Sequence, residues 1–197
     1  HKVVLVIVLV NTRFSRPVMA LPFSLSDISL NTVVNNHVRL LSDIRYLPGG
    51  LQCDVYRQMY DCGHLKPLEI ELTCFENVTK LLRASEKRLL LYKPLQHLHD
   101  NGINAAVVLC EEYSCRVLQF VKMEDWDVCK KLVPLGISLG NLFLEMGWFY
   151  EADKMFYCIL QLCKALTPVP RKMILLCLTR LLHIRTANCQ FSAANDS

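Results

Sequence analysis

Glycine and proline are scarce, at 7 and 8 of 197 residues, which excludes a collagen-like or low-complexity chain. No apolar stretch approaches the roughly 20 residues that a membrane-spanning helix needs. The longest, VVLVIVLV at positions 3–10, falls far short. No C-x-x-C pair occurs among the 10 cysteines. Charge of either sign is thin: 22 basic against 18 acidic residues leaves a net +4 without a clustered basic run. A nucleic-acid binder wants such a cluster on one face, so that class is set aside. What is abundant is apolar material, 52% of the chain, which excludes a disordered or solvating polymer. A chain of this length forms one domain or two small ones and buries about 70% of its unfolded surface without needing covalent staples.

Cysteine makes up about 5% of the chain, below the roughly 8–10% of disulfide scaffolds. Cys158, Cys163 and Cys177 sit inside apolar runs (MFYCILQLCKAL and ILLCLTR), where a free thiol packs as a small hydrophobe. The reading is reduced core thiols in a cytosolic protein. Cys53, Cys62, His64 and Cys74 form a conceivable zinc set, but their spacing matches no compact ligand pair. No pair of Cys and His carries a nucleophile signature, so no catalytic residue, metal or cofactor is expected. The sequon Asn77-Val78-Thr79 is short enough to occur by chance.

The first 22 residues are read apart from the rest. An apolar run follows His1-Lys2, and Arg13, Arg16 and Pro17 come after it. A signal-peptide core has this length, but its basic residues should precede the run. The expectation is an irregular segment outside the folded part, with a remnant signal sequence as the alternative.

Beyond residue 23 the apolar spacing is helical and no strand alternation survives, so the class is all-α. Ser24 opens the first helical run, with Asp27 three residues on. Leu47-Pro48-Gly49-Gly50 is expected to end that run. Further helices are expected at 51–61, at 68–91 with a break at Pro94, and at 95–100, 103–119, 126–146, 149–165 and 170–185. Lys80, Arg83, Lys87 and Arg88 supply a wet face. The tail from Thr186 has no periodicity and is expected to be loose. The domain reading is 1–22 irregular, 23–66 docking helices, 67–132 degenerate repeats, 133–185 a recognisable repeat, and 186–197 tail.

That repeat lies in VPLGISLGNLFLEMGWFYEADKMFYCILQLCKAL. The tetratricopeptide template places L-G-x2-Y on one helix and A-x3-F on the next. Here Leu139-Gly140 precede Phe143, Gly147 marks the turn, and Ala152 precedes Phe156. Small residues at Gly140 and Ala152 suit a close helix crossing, with Phe143 and Phe156 filling the groove around it. Gly136 stands where the template has Trp, and Lys164 where it ends on Pro. An unrelated helical hairpin with small crossing residues would carry the same pattern. One unit cannot bury its own apolar face, so neighbouring pairs are expected to act as degenerate repeats or the solenoid to continue elsewhere.

Two short boxes precede the repeat. Ser24, Leu25, Ser29 and Val33 place Leu25, Ser29 and Val33 at i, i+4 and i+8, one helix face. Leu47-Pro48-x2-Leu51 follows fourteen positions after Val33. In order and at this spacing, the pair resembles an elongin C-binding box followed by a cullin-2 box. Three blocks extend the likeness: Asn36-His37-Val38 with Asp43 to Pro48 and Gln52 to Tyr56; Lys80 to Leu90; and Leu139 to Cys163 with Arg180 to Arg185 and Asn188-Cys189. Together they are similar to the tetratricopeptide substrate receptors of cullin-2–elongin B/C ubiquitin ligases.

That resemblance implies a non-catalytic adaptor without a cofactor. Ser24, Leu25, Ser29 and Val33 would dock elongin C, and Leu47, Pro48 and Leu51 would touch cullin-2. Leu139, Gly140, Phe143, Gly147, Ala152 and Phe156 would pack the repeat. It further implies client proteins with short peptide signals, including C-terminal degrons and the amyloid precursor protein tail. The implied location is cytoplasmic, with nuclear, microtubule or peripheral-membrane association in addition. The chain would be the front part of a longer receptor. The rival reading is a microtubule-associated cargo adaptor whose box residues are simply core.

Overall fold

The computed structural model describes residues 30, 32–34, 44–83 and 88–195. Among these residues the regular structure is helical throughout and no strand occurs, as the apolar spacing predicts. The chain divides into two compact units, one up to Ile103 and one from Asn104.

In the first unit, α1 (Gly49–Asp61), α2 (Leu65–Thr73), α3 (Phe75–Leu82), a 3-10 turn (Arg88–Leu91) and α4 (Tyr92–Asp100) follow one another. Helix α1 is the hub: it packs against α2, α3 and the 3-10 turn. Its stripe of Gln52, Cys53, Tyr56 and Met59 meets Leu68, Leu72, Phe75, Val78 and Leu81 in one core.

The second unit holds α5 (Ala105–Lys122), α6 (Trp126–Glu145), α7 (Phe149–Ala165) and α8 (Arg171–Asn195). Each helix packs on the one before it, and α7 also touches α5. With neighbours on several sides, α7 buries a broad face comprising Ala152, Met155, Phe156, Ile159, Leu160, Leu162 and Cys163. Asn104 and Asp125 cap α5 and α6, accepting from the Val107 and Val128 amides at 3.3 and 3.1 Å.

Four helix ends use the same device. Gly63, Gly102, Glu124 and Gly147 take positive φ of 79°, 82°, 55° and 76°. The following residue's amide then reaches back to the sixth carbonyl, as in Trp148 to Phe143 at 2.8 Å and Asp125 to Phe120 at 3.0 Å.

Several expected boundaries shift. The stretch 68–91 is not one helix: Cys74 is extended (ψ 115°), and the Thr73 hydroxyl bonds back to the Glu69 carbonyl at 2.7 Å. The resulting corner turns both Leu72 and Phe75 into the same core. Gly49 and Gly50 begin α1 instead of separating two elements. Pro94 is the third residue of α4, where a missing N–H costs nothing because the first amides of a helix have no intrahelical partner. Helix α8 runs on past Arg185 and Thr186 to Asn195. The division between compact units falls at Ile103–Asn104.

Candidate docking sites

The front of the first unit carries what is described of the two boxes. Ser24, Leu25 and Ser29 lie outside the described residues. Val33 belongs to a short helical stretch and is buried, 3% exposed. At the second box the backbone turns after Ile44, and the Leu47 amide donates to the Ile44 carbonyl at 3.1 Å. Leu47 points inward and is 1% exposed, Pro48 is exposed at the mouth of α1, and Leu51 is half-buried one turn on. The box is therefore split: its first apolar residue is core and its proline is on the surface.

A buried polar network fixes this corner. The Glu71 carboxylate, almost fully buried on α2, accepts from the Arg45 guanidinium at 2.8 and 3.1 Å, a two-pronged ion pair. It also accepts from the Tyr56 hydroxyl at 2.7 Å and from the Asn77 amide. The Gln52 amide donates to Tyr56 and to Asn77 Oδ1, both at 2.8 Å. Burial holds the Tyr56 phenol far above its ordinary pKa, so it serves as a donor. The hydrogen bond that the Arg45 guanidinium donates to Glu71 raises its pKa above the ordinary value. From α3, the Lys80 ammonium donates to the Leu47 carbonyl at 2.7 Å and to the Arg45 carbonyl. Lys80, read as part of a wet face, is instead the tie between α3 and the box.

Glu71 was not singled out by sequence, and Gln52 and Asn77 were not read as members of a polar network. The available signal was Glu71 itself, an acid set within the apolar spacing Leu68, Leu72, Phe75. An acid in such a position requires partners. Asn77 of the sequon is buried in this network, so its amide nitrogen is engaged in the folded unit.

In the second unit the repeat residues meet across α6 and α7. Leu139, Gly140, Phe143, Ala152 and Phe156 are all buried, and Gly147 makes the exposed turn between the helices. A Cβ built on Gly140 would stand 2.8 Å from the Phe156 ring, so glycine is what lets that ring lie against α6. Phe143 faces Trp148 with ring centroids 6.0 Å apart. Gly136, at the template's Trp position, makes room for Tyr113 of α5.

Between α5 and α7 an open groove of about 500 Å³ is lined by Val107, Leu118 and Tyr157 together with the charged Glu111, Glu151 and Lys154. Lys154 stands 4.3 Å over the Tyr150 ring. Cys110 and Cys158 line the same groove; burial raises both thiols, Cys110 to about 11, so neither is an activated nucleophile. The nine cysteines from Cys53 to Cys177 form no disulfide. Among the described residues no group of three His, Cys, Asp or Glu could hold a metal, and no helix is long and apolar enough to cross a membrane. Cys53 of the conceivable zinc set is fully buried, while Cys62 is exposed.

Comparison with known proteins places these features in context. No family model matches the chain. Over 178 residues, 90% of its length, it is 34% identical to "amyloid protein-binding protein 2" of rat, Rattus norvegicus, and of mouse, Mus musculus. The chain is thus a distant homologue of that protein, and it spans about 30% of the length of these curated relatives.

Proposed function

We propose that this chain is the docking front of a substrate receptor of a cullin-2–elongin B/C ubiquitin ligase, a non-catalytic adaptor that needs no cofactor. The observation that carries the reading is the corner built around Pro48. An exposed proline begins a helix, and Glu71, Arg45 and Lys80 hold the segment before it in one conformation. Rigid display of a short surface motif lowers the ordering cost of docking. In this reading Leu25, with Ser24, Ser29 and Val33, engages elongin C, while Pro48 and Leu51 touch cullin-2 and Leu47 supports them from within. The helical hairpins then present clients carrying short peptide signals, among them C-terminal degrons and the amyloid precursor protein tail. The homologue's name supports binding of an amyloid protein. Such an adaptor accelerates ubiquitin transfer by proximity, raising the effective concentration of a client lysine without supplying a nucleophile.

The test is co-purification from cells. Leu25→Asp combined with Pro48→Ala should abolish recovery of elongin B/C and cullin-2, and unchanged recovery overturns the proposal.

The burial of Val33 and Leu47 favours a second reading, in which the box residues are ordinary core and the chain is a microtubule-associated cargo adaptor binding sorting signals. That reading requires peptide or microtubule binding to persist in cells lacking elongin C.

A further inference from the structure

Helix α8 has two apolar stripes. Cys177, Leu181 and Ile184, spaced by four and three, are buried in the second unit, where α8 packs against α7. Leu175, Leu178 and Leu182, spaced by three and four, face outward at 67%, 48% and 66% exposure. At 100° per residue the outer leucines share one face of the helix. Isolated surface leucines are ordinary, but a continuous row of three along one helix is not.

The charged residues of α8 beside that row are all basic, and Thr179 and Thr186 between them are neutral. Arg171 and Lys172 are exposed one turn before Leu175, and Arg185 follows Leu182. Arg185 is held by Asp153 of α7 at 3.1 Å. From Arg171 to Asn195 the helix contains no Asp or Glu. The geometry points to a docking surface for an amphipathic helix of a partner protein, with aliphatic residues along one stripe and Asp or Glu beside it. Three features favour that occupant. The leucines, at i, i+3 and i+7, form one ridge of the kind that packs against another amphipathic helix. The face also continues the packing of α6, α7 and α8, each laid on the helix before it. The basic flanks favour an acidic partner and disfavour a second copy of α8, which would set like charges against each other.

The test uses the full chain and a labelled synthetic helical peptide of about 18 residues, long enough to hold helical structure. The peptide carries leucines at i, i+3 and i+7 with glutamates alongside; a control peptide has lysines for the glutamates. Fluorescence anisotropy should show micromolar binding of the acidic peptide, weakened by salt, and no binding of the lysine peptide. Leu178→Ser with Leu182→Ser should reduce affinity by about tenfold or more, as loss of anchor residues does. Arg171→Glu with Lys172→Glu should shift preference toward the lysine peptide, with circular dichroism confirming that both variants remain helical. Equal binding of the two peptides, or unchanged binding by the serine variant, overturns the proposal. So does self-association through these leucines in sedimentation velocity, or leucine-dependent flotation with phosphatidylserine vesicles without acidic-peptide binding.

Discussion

Tyr113 of α5 occupies the space that a side chain at Gly136 of α6 would fill. A Cβ at Gly136 would lie 2.6 Å from the tyrosine Cζ and 2.8 Å from Ile159 Cγ1 of α7. The tyrosine hydroxyl donates to the Leu132 carbonyl one turn up α6, at 3.1 Å. The absence of a side chain at one position therefore lets three helices close together, and the hydroxyl finds its partner on the backbone thereby exposed.

Gly136→Ala is expected to destabilise the second unit despite improving helix propensity. The propensity gain is about 1 kcal/mol, while wedging a methyl against a rigid ring and an isoleucine costs about 1–3 kcal/mol. Gly140→Ala meets the Phe156 ring at 2.8 Å and should behave alike. Tyr113→Phe removes one hydrogen bond, a loss of about 1 kcal/mol. Urea unfolding of the two single variants and the double Gly136→Ala, Tyr113→Phe gives the coupling. A Gly136→Ala protein as stable as the parent would show that the helices can separate at no cost.

Where the sequence was informative, the physics was local. Period-3.6 apolar spacing is set within one helix, so the all-α class and most of α6 and α7 were legible. The turns at Asn101-Gly102 and Gly147 were legible for the same reason: glycine tolerates positive φ. Glu124 takes the same conformation at 55°, and no residue rule would have chosen it. The corner at Cys74 was missed because it is decided by tertiary partners: Leu72 and Phe75 must both face α1. The polar network was missed because Gln52, Glu71 and Asn77 are brought together only by the fold. Leu25 and Ser29 lie outside the described residues, so their docking role rests on the sequence pattern.

Removing the Glu71 carboxylate should open the first unit. Glu71→Ala removes the acceptor of the buried Tyr56 hydroxyl, while the Asn77 amide keeps the Tyr56 oxygen and the residue 71 carbonyl as partners; one orphaned donor costs about 1–3 kcal/mol. Arg45 is 46% exposed, so water recovers much of its charge interaction and it adds little to the total. A loss of about 1–3 kcal/mol is expected, with faster hydrogen exchange in α1 to α3. Asn77 is locked in the same network, so the folded protein should accept no glycan at the sequon even when offered the transferase. Stability within experimental error of the parent would mean that water replaces the carboxylate.

The buried thiols give the second unit a stability that declines in alkali. Cys110 and Cys177 are pushed up to about 11 from an ordinary 9.0, chiefly by burial. Below pH 9 the thiol is protonated in both folded and unfolded chains, and the folded state keeps its full advantage. As pH rises from 9 to 11 the unfolded chain loses these protons first, so stability falls across that window. Thermal midpoints at pH 8, 10 and 11 should decline, and Cys177→Ala should flatten the decline by removing one titrating group. At pH 8 a maleimide should modify the exposed Cys62 and Cys115 first, and Cys53, Cys129, Cys163 and Cys177 only on unfolding. A pH-independent midpoint, or early labelling of Cys177, would contradict the packing of α8 on α7.

Lys80 offers a way to loosen the box without touching its surface. Its ammonium donates to the carbonyls of Arg45 and Leu47, the two residues that flank the exposed Tyr46. Lys80→Met keeps the apolar stem and removes both bonds, each worth about 1.5–3 kcal/mol at most when a charge is involved and less at a half-exposed site. The unit should stay folded while amide exchange at 45–48 rises. If Pro48 docks a cullin, the looser segment must be ordered on binding, an added cost of about 1 kcal/mol for each side chain newly fixed. Affinity of an elongin-loaded complex for cullin-2 should then drop about fivefold to tenfold, with elongin binding itself unaffected. Increased exchange at 45–48 with undiminished cullin affinity would separate the two ideas, leaving the clamp as a stabilising tie and removing it from the docking mechanism.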